Sequence, residues 1–339
     1  MIKQSMLGIT LGGFCAFAPA QSNVSIYGVM DINVTTISGG SANGFTGVEP
    51  GGISGSRLGF KGSEDLGNGT KAIFTMEFGS IKNDRNAGLT GSRQSFVGLQ
   101  GSWGTLIGGY VYSPADDFNV DFSGFSNSAL LEPRSNMLND GGFSTKVDDT
   151  LENGLSYISP KVGPVTLRGA FSLGEQTSGP KEHKFALAAE YADGPMRSTL
   201  LHHHVSNVGA VNPKEDLNET ALGLHYDFDA VQLMGTIVTK KQDNAGRDNV
   251  LSLGARIPVG AGTVRFSYAR LDQSKKNGDK DASGWAAGYY YGLSKRTTLY
   301  GGMHFLDNSS RASYNHERLT GLSTGDNARL FTVGMRHKF

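Results

Sequence analysis

The sequence predicts an all-β fold, a sixteen-stranded antiparallel transmembrane β-barrel with short turns at one end and long loops at the other. Many segments place large apolar residues at every second position, which is the periodicity of a strand with one apolar face. Short and long connections alternate along the chain, and the chain ends in a strand-like segment that closes on an aromatic residue. The mean hydropathy of −0.28 fits such a barrel, because half of each strand faces water.

Residues 1–20 are predicted to be a cleaved signal peptide and residues 21–339 a single barrel domain. A basic start, Met1-Ile2-Lys3, precedes an apolar stretch from Met6 to Phe17, and Ala18-Pro19-Ala20 provides a cleavage site. The apolar stretch is shorter than the roughly 20 residues that a membrane-spanning helix needs, which disfavours the alternative of an uncleaved anchor. Cleavage would remove the single cysteine, and with it any disulfide or thiol chemistry.

The first three predicted strands show the alternation most clearly. The first, over about Val24 to Ile37, has apolar residues on one face and Tyr27 and Asp31 on the other. The second, over about Ser54 to Leu66, is followed by the tight-turn signal Gly67-Asn68-Gly69. In the second strand the outward residues Leu58 and Phe60 alternate with the inward residues Arg57 and Lys61. In the third strand the outward residues are Ala72, Phe74, Met76 and Phe78, and the inward residues are Lys71, Ile73, Thr75 and Glu77.

Thirteen further strands complete the predicted barrel. They lie near 92–101, 104–112, 150–159, 164–174, 183–192, 196–206, 216–228, 231–241, 247–257, 263–272, 282–293, 296–306 and 326–339. Eight long loops are predicted at 38–53, 80–91, 113–149, 175–182, 207–215, 242–246, 273–281 and 307–325, and seven short turns join the other strand ends. This pattern is typical of bacterial outer-membrane barrels with periplasmic turns and extracellular loops. The alternative, a soluble propeller, would repeat its blade every 40–50 residues or so, and no such repeat is visible.

The last predicted strand has two faces of opposite character. Its outward face is apolar or aromatic, and its inward face is largely polar or basic. The outward residues are Phe331, Val333, Met335, His337 and Phe339, and the inward residues include Thr332, Arg336 and Lys338. A strand of this kind at the end of the chain favours the closure of a barrel in lipid.

Several of these segments carry a family resemblance. They are Val24–Asp31 (VSIYGVMD), Ser56–Gly69 (SRLGFKGSEDLGNG), Arg93–Leu99 (RQSFVGL), Gly104–Gly109 (GTLIGG) and the terminal Phe339. The chain resembles the general porins of Gram-negative bacteria, in particular the trimeric porins of betaproteobacteria. The resemblance implies a homotrimer in the outer membrane, in contact with its lipid and lipopolysaccharide, with a third loop folded into the pore. It also implies that the barrel-assembly machinery recognises the last strand through Phe339.

The third long loop is the predicted pore constriction. It is the longest connection, and long connections in compact domains are usually functional or disordered. Its acids are Asp116, Asp117, Asp121, Glu132 and Asp140, with Arg134 and Lys146 as counterweights. The alternative is a solvated external loop with ordinary surface charges.

Three arginines form the predicted basic wall opposite this loop. Arg57 and Arg93 match the basic cluster of related porins, and Arg168 faces inward by its alternation with neighbouring apolar residues. Fixed charges in a narrow aqueous pore bias which ions enter, and low-dielectric walls focus their field. The alternative is that the arginines only pair with nearby carboxylates. Inward basic residues outnumber inward acids, so a weak anion preference is predicted, although the loop acids oppose it.

The predicted function is a passive outer-membrane diffusion channel for ions and small hydrophilic solutes, with a size limit set by the third loop. A substrate-specific channel, an outer-membrane barrel enzyme and an adhesin or structural barrel remain alternatives. No serine–histidine–carboxylate set or nucleophile motif stands out, so the chain is predicted not to be an enzyme. No cofactor or metal is implied, since His202-His203-His204 lacks a further ligand at a suitable spacing. The balance of 31 basic and 31 acidic residues argues against nucleic-acid binding.

Overall fold

A computed structural model of the chain is a closed antiparallel β-barrel. It describes residues 23–79, 81, 88–89, 91–126, 128–136, 150–175, 181–208, 215–243, 245–316 and 318–339, so the predicted signal peptide, residues 1–20, lies outside the described residues. The strands are β1 (Asn23–Gly39), β2 (Phe45–Pro50), β3 (Arg57–Gly67), β4 (Thr70–Phe78), β5 (Ser92–Gly101), β6 (Gly104–Tyr112), β7 (Thr150–Ile158), β8 (Val165–Ser172), β9 (His183–Asp193), β10 (Met196–Ser206), β11 (Leu217–Asp227), β12 (Gln232–Gln242), β13 (Arg247–Val259), β14 (Gly262–Asp272), β15 (Ala282–Gly292), β16 (Thr297–Asn308) and β17 (Ala328–Lys338). Two helices, α1 (Pro114–Asp121) and α2 (Pro133–Asn136), lie between β6 and β7.

Two strands share the second position of the barrel, so the seventeen strands of the described residues fill sixteen positions, as predicted. One edge of β1 pairs with β3 over Asn23–Val29 and with β2 over Ile32–Ile37. The prediction of a long loop over 38–53 is therefore wrong: half of that stretch is strand, and the connection between β1 and β2 spans 40–44. The glycines of the stretch hid β2, because they remove the side chains that would have shown its alternation.

The break between β2 and β3 is held by one buried aspartate of β1. The Asp31 carboxylate accepts hydrogen bonds from the backbone N–H groups of Gly52, Ile53 and Ser54 at 3.1, 3.0 and 2.8 Å. The Tyr300 hydroxyl donates to the same carboxylate at 2.6 Å. A buried carboxylate needs such donors, so Asp31 fixes the course of the chain where it leaves the barrel wall.

The barrel closes between its first and last strands, as the C-terminal pattern predicts. β1 pairs with β17 from Val29 opposite Lys338 to Gly39 opposite Ala328. Phe339 extends this pairing: its N–H donates to the Gly28 carbonyl and its carbonyl accepts from the Gly28 N–H, both at 3.1 Å. Its ring covers Gly28 so closely that an added Cβ would lie 2.3 Å from Phe339 Cζ.

The outer surface is apolar along most of the strand lengths. Leucine, isoleucine, valine and aromatic side chains are exposed there on almost every strand, which is expected of a surface in contact with lipid. Among the described residues, no helix has the length and apolar character needed to cross a membrane.

The inner surface divides into two walls of different chemistry. The inner face of β10–β17, here called the covered wall, is largely apolar at its extracellular half and includes Leu201, Ala221, Val238, Val250, Ala269, Leu271, Ala286, Leu306 and Leu330. The inner face of β1, β3–β5, β8 and β9, here called the charged wall, carries Tyr27, Lys61, Arg57, Glu77, Arg93, Arg168 and Glu190. The third loop packs mainly on the covered wall, and its first helix α1 also contacts β8 and β9 of the charged wall.

Candidate functional site

The described part of the third loop lies inside the barrel and begins with α1. The Ser113 hydroxyl accepts a hydrogen bond from the Ala115 N–H at 3.1 Å, and Pro114 occupies the first helical turn. Both features favour a helix start at this position. Asp116 and Asp117 follow in the first turn, where the helix dipole stabilises negative charge.

Two arginines of the covered wall hold the loop after α1. Arg256 Nε and Arg265 Nη1 both donate to the Gly124 carbonyl at 3.2 Å. Arg256 Nη2 also donates to the Ser123 carbonyl at 2.5 Å and to Ser126 Oγ at 2.9 Å. The two arginines are directly opposite each other on β13 and β14, a repulsive arrangement that the partial negative charges of the loop carbonyls relieve.

Small residues on the covered wall let the loop approach closely. A Cβ added to Gly254 would lie 2.6 Å from the Gly124 backbone nitrogen. One added to Gly223 would lie 2.5 Å from the Phe122 ring. Larger residues at these two positions would therefore push the loop towards the charged wall.

Glu132 and Arg134 are placed differently from the sequence prediction. Both are completely buried, so the prediction that they lie at the pore surface is wrong. Glu132 accepts hydrogen bonds from the Ser267 hydroxyl at 3.0 Å and from the Ser123 hydroxyl. Arg134 donates to the Asn119 carbonyl at 3.0 Å, and burial lowers its pKa while Glu132 opposes that shift. These two charges support the loop from within, a role that local sequence does not reveal.

Glu77 lies at the centre of the charged wall. Its carboxylate is 2.7 Å from Arg93 Nε and 3.5 Å from Arg57 Nε, and it accepts a hydrogen bond from the Tyr27 hydroxyl at 2.9 Å. Lys61 Nζ lies 5.3 Å from the centre of the Tyr27 ring. Two arginines therefore share one carboxylate, and a lysine lies over the ring of the tyrosine that donates to it.

Arg93 faces the lumen because of a β-bulge. Strict alternation within β5 would put it on the lipid face with Val97 and Leu99. The pairing of β4 and β5 shifts between Glu77 and Phe78, and Arg93 is the extra residue at that shift. A bulge commonly redirects a side chain in this way next to a functional site.

The three acids of α1 face different basic residues. Asp116 acts electrostatically on Arg93, and Asp117 pairs with Arg168, which also donates to Glu190 at 3.1 Å. Asp121 interacts electrostatically with Arg197 and Arg256: burial and then Asp117 raise its pKa, and the two arginines oppose that shift. Helical geometry spreads these acids around the axis, so α1 presents charge to several strands at once.

Sequence reasoning missed two members of this site. Glu77 was recognisable as an inward acid by alternation, but nothing in the sequence shows that it lies between two arginines. Arg197 is exposed to the lumen, but the inward face of β10 also carries the apolar Leu201. The alternation of the sequence therefore does not mark this face as the polar one. Asp140 and Lys146 of the third loop lie outside the described residues.

The histidine run is divided between the two faces of β10. His203 faces inward and lies 2.7 Å from Glu219, which also pairs with Lys240 at 2.5 Å. His202 and His204 face outward, where they bond to Thr220 and Asn218. Within the described part of the chain, no group of three or more metal-binding side chains is placed to hold an ion.

Comparisons with known proteins agree on one kind of molecule. A family described as Gram-negative porin matches residues 8–311. The chain is 31% identical to the outer membrane porin protein 32 of Delftia acidovorans, over the whole of both chains, and 26% identical to the major outer membrane protein P.IB of Neisseria meningitidis serogroup B, also over both whole chains. A solved structure named as the anion-selective porin from Comamonas acidovorans matches with a TM-score of 0.83 and 28% identity, covering 94% of this chain and 100% of that one.

Proposed function

The chain belongs to the Gram-negative porin family, and we propose that it forms a passive, water-filled channel with a preference for anions. The solutes are ions and small hydrophilic molecules of the outer-membrane environment. The third loop sets the size limit, because it is fixed to Arg256 and Arg265 of the covered wall and to Arg168 of β8. The proposed passage runs between the loop and the part of the charged wall that carries Arg57 and Arg93.

The excess of cations around Glu77 is the observation that carries the anion preference. Arg57 and Arg93 share this one carboxylate and Lys61 lies over the neighbouring Tyr27 ring, so this side of the passage has a net positive charge. Fixed charge in a passage bounded by low-dielectric walls concentrates counter-ions. The anion selectivity named for the similar Comamonas protein supports the same sign.

The selectivity role of the two arginines can be tested by charge removal. In the double variant Arg57→Ala/Arg93→Ala we expect a lower anion-to-cation permeability ratio. The expected factor is about ten for each arginine, because a unit charge at about 6 Å in water raises the local concentration of anions about threefold and lowers that of cations about threefold. The measurement is the reversal potential of single channels in a salt gradient.

A matched control for this test removes two arginines from the outer surface. Arg270 and Arg329 are exposed and face away from the lumen, so Arg270→Ala/Arg329→Ala should leave the reversal potential unchanged. If the Arg57/Arg93 variant also keeps the wild-type selectivity and conductance, the assignment of these residues is wrong.

We propose that three copies assemble into a homotrimer in contact with outer-membrane lipid and lipopolysaccharide. One structurally similar protein, OmpT of Vibrio cholerae, is named as a trimer form, although its identity of 13% supports the fold alone. Single-channel closure in three equal steps would support the trimer. Closure in a single step from cross-linked, folded protein would exclude it. An enzyme or a substrate-specific channel has no observation here that favours it.

We propose that the barrel-assembly machinery recognises the last strand through Phe339. The ring is about half exposed on the outer surface, and its backbone closes the barrel against Gly28. Deletion of Phe339 should reduce the yield of folded protein in the outer membrane. Its replacement by Tyr should preserve the yield, because Tyr keeps the aromatic ring. Normal yield after the deletion would contradict the proposal.

A further inference from the structure

The outward face of five strands carries a row of mostly polar residues at the extracellular end of the barrel. Cross-strand pairing aligns Phe185 of β9, His204 of β10, Asn218 of β11, Lys241 of β12 and Arg247 of β13. Their side chains point away from the lumen, since the alternate residues of these strands are the buried, inward ones. The row therefore faces the surroundings of the barrel.

The cations of this row lie above the apolar band. Ile237 of β12 and Leu251 of β13 are 55% and 43% exposed on the same outward face. Lys241 and Arg247 lie four residues further towards the extracellular end, about 13 Å along the strand. For strands tilted by about 35–45°, this corresponds to roughly 10 Å along the membrane normal. The two cations are thus placed where lipid headgroups meet the barrel.

Lys241 and Arg247 are an unusual pair for a sheet surface. They are directly opposite each other and both exposed, and like charges in this arrangement repel. No hydrogen bond or ion pair joins either of them to another residue in the described ranges. Two nearby acids have other contacts. Asp216 lies 4.0 Å from His204 and accepts a hydrogen bond from the Asn207 N–H at 3.0 Å, and Asp243 accepts one from the Asp216 N–H at 3.3 Å.

Asn218 adds a neutral donor beside the cations. Its side-chain oxygen is 3.0 Å from His204 Nδ1, and this contact orients the amide. The amide nitrogen is then available next to Lys241, its neighbour across β11 and β12. An ammonium, a guanidinium and an amide in a row offer several donors and two positive charges to one anion.

We propose that Lys241 and Arg247 bind a phosphate group of an outer-leaflet glycolipid. The phosphate relieves the repulsion between the two cations by charge-assisted hydrogen bonds, which guanidinium and ammonium groups both form with phosphate. The acyl chains of the same lipid pack on the apolar rows below, which include Ile237 and Leu251. The inference rests on the proposed placement of the barrel in an outer membrane.

The test measures binding of bisphosphorylated lipid A to the full-length protein in detergent, by native mass spectrometry. For Lys241→Ser/Arg247→Ser we expect roughly thirtyfold weaker binding, because each cation near an anionic lipid surface contributes about one factor of five. The matched control is Lys295→Ser/Arg296→Ser, which removes two exposed cations from a turn at the other end of the barrel. The control should bind as the wild type does.

Dephosphorylated lipid A separates the contribution of the phosphate group from that of the acyl chains. It should bind equally weakly to the wild type and to the Lys241/Arg247 variant. Equal binding of bisphosphorylated lipid A by these two proteins would overturn the proposal. Full competition by millimolar inorganic phosphate would also overturn it, since the site would then recognise a free anion.

Channel recording separates this proposal from the proposed function. The Lys241/Arg247 variant should keep the wild-type conductance, because both residues face away from the lumen. A wild-type protein that binds the lipid but does not conduct would contradict the channel and leave the phosphate site standing.

Discussion

The two inner walls of the barrel use arginine in opposite ways. On the covered wall, Arg256 and Arg265 donate to main-chain carbonyls of the third loop and to Ser126. On the charged wall, Arg57 and Arg93 share the side-chain carboxylate of Glu77 and remain partly open to the passage. All four residues are arginines that point into the lumen. They differ in their hydrogen-bond partners, which are loop carbonyls on one wall and a carboxylate on the other.

This difference separates structure from selectivity. A guanidinium whose donors are taken by loop carbonyls acts mainly as a cross-link between wall and loop. A guanidinium that shares one carboxylate with another cation keeps uncompensated charge in the water-filled passage. Counting inward basic residues therefore overestimates the charge that a solute meets.

The largest effect is expected from breaking the cross-link on the covered wall. For Arg256→Ala/Arg265→Ala we expect a loss of roughly 1.5–3 kcal/mol of stability for each arginine, the range for hydrogen bonds that involve charged groups. The loosened loop should also admit larger solutes. Thermal unfolding in detergent measures the first effect, and swelling of liposomes in sugars of increasing size measures the second.

Arg197 provides the control for that experiment. It faces the same lumen and acts on Asp121, but none of the described hydrogen bonds joins it to the loop. Arg197→Ala should shift ion selectivity and leave the unfolding temperature and solute size limit unchanged. Equal destabilisation by both sets of variants would remove the distinction between the two walls.

An intermediate effect is expected from acid, at the edge of the covered wall. His316 of the last loop is buried against His304 of β16, with ring centres 4.7 Å apart. Burial lowers the pKa of His316 from 6.5 to about 4. The free energy that holds the loop in place therefore has its full value above pH 6.5. It falls by roughly 3 kcal/mol in total as the pH drops towards 4, because His316 is protonated at a higher pH in the undocked loop than in the docked loop.

Hydrogen exchange of residues 309–316 and 318–327 between pH 7 and pH 4, corrected for intrinsic rates, measures this weakening. The variant His316→Leu should remove most of the acid-dependent opening. The exposed His337 is the control, and His337→Leu should behave as the wild type does. If exchange of the loop does not respond to acid in the wild type, the packing of His316 does not govern it.

Most of the fold could be predicted from the sequence, because strand alternation and turn residues act locally. The failures occurred where a local rule met an exception. Glycines hid β2, and the bulge at Arg93 reversed the face that alternation assigns to it. Arg93 was still assigned to the lumen, since a family resemblance carries long-range information that periodicity lacks.

The candidate site could be predicted only in part. Asp116, Asp117 and Asp121 lie on a helix that faces basic residues, whereas Glu132 and Arg134 of the same loop are buried. The loop sequence does not show which of its charges turn towards the wall, because that depends on contacts such as the one between Glu132 and Ser267, 135 residues apart. Long-range packing decided the role of each charge.

The smallest effect is expected from removing the carboxylate of the charged wall. Glu77→Gln keeps the size of the side chain and removes the carboxylate that Arg57 and Arg93 share. The anion-to-cation permeability ratio should rise about tenfold, because one unit charge at about 6 Å in water changes the local concentrations of anions and cations about threefold each, in opposite directions. Glu64→Gln makes the same chemical change on the outer surface of β3 and should leave the reversal potential unaltered. A Glu77→Gln channel with wild-type selectivity would mean that water and salt already screen this wall, and that its arginines differ from those of the covered wall in their partners but not in their effect on ions.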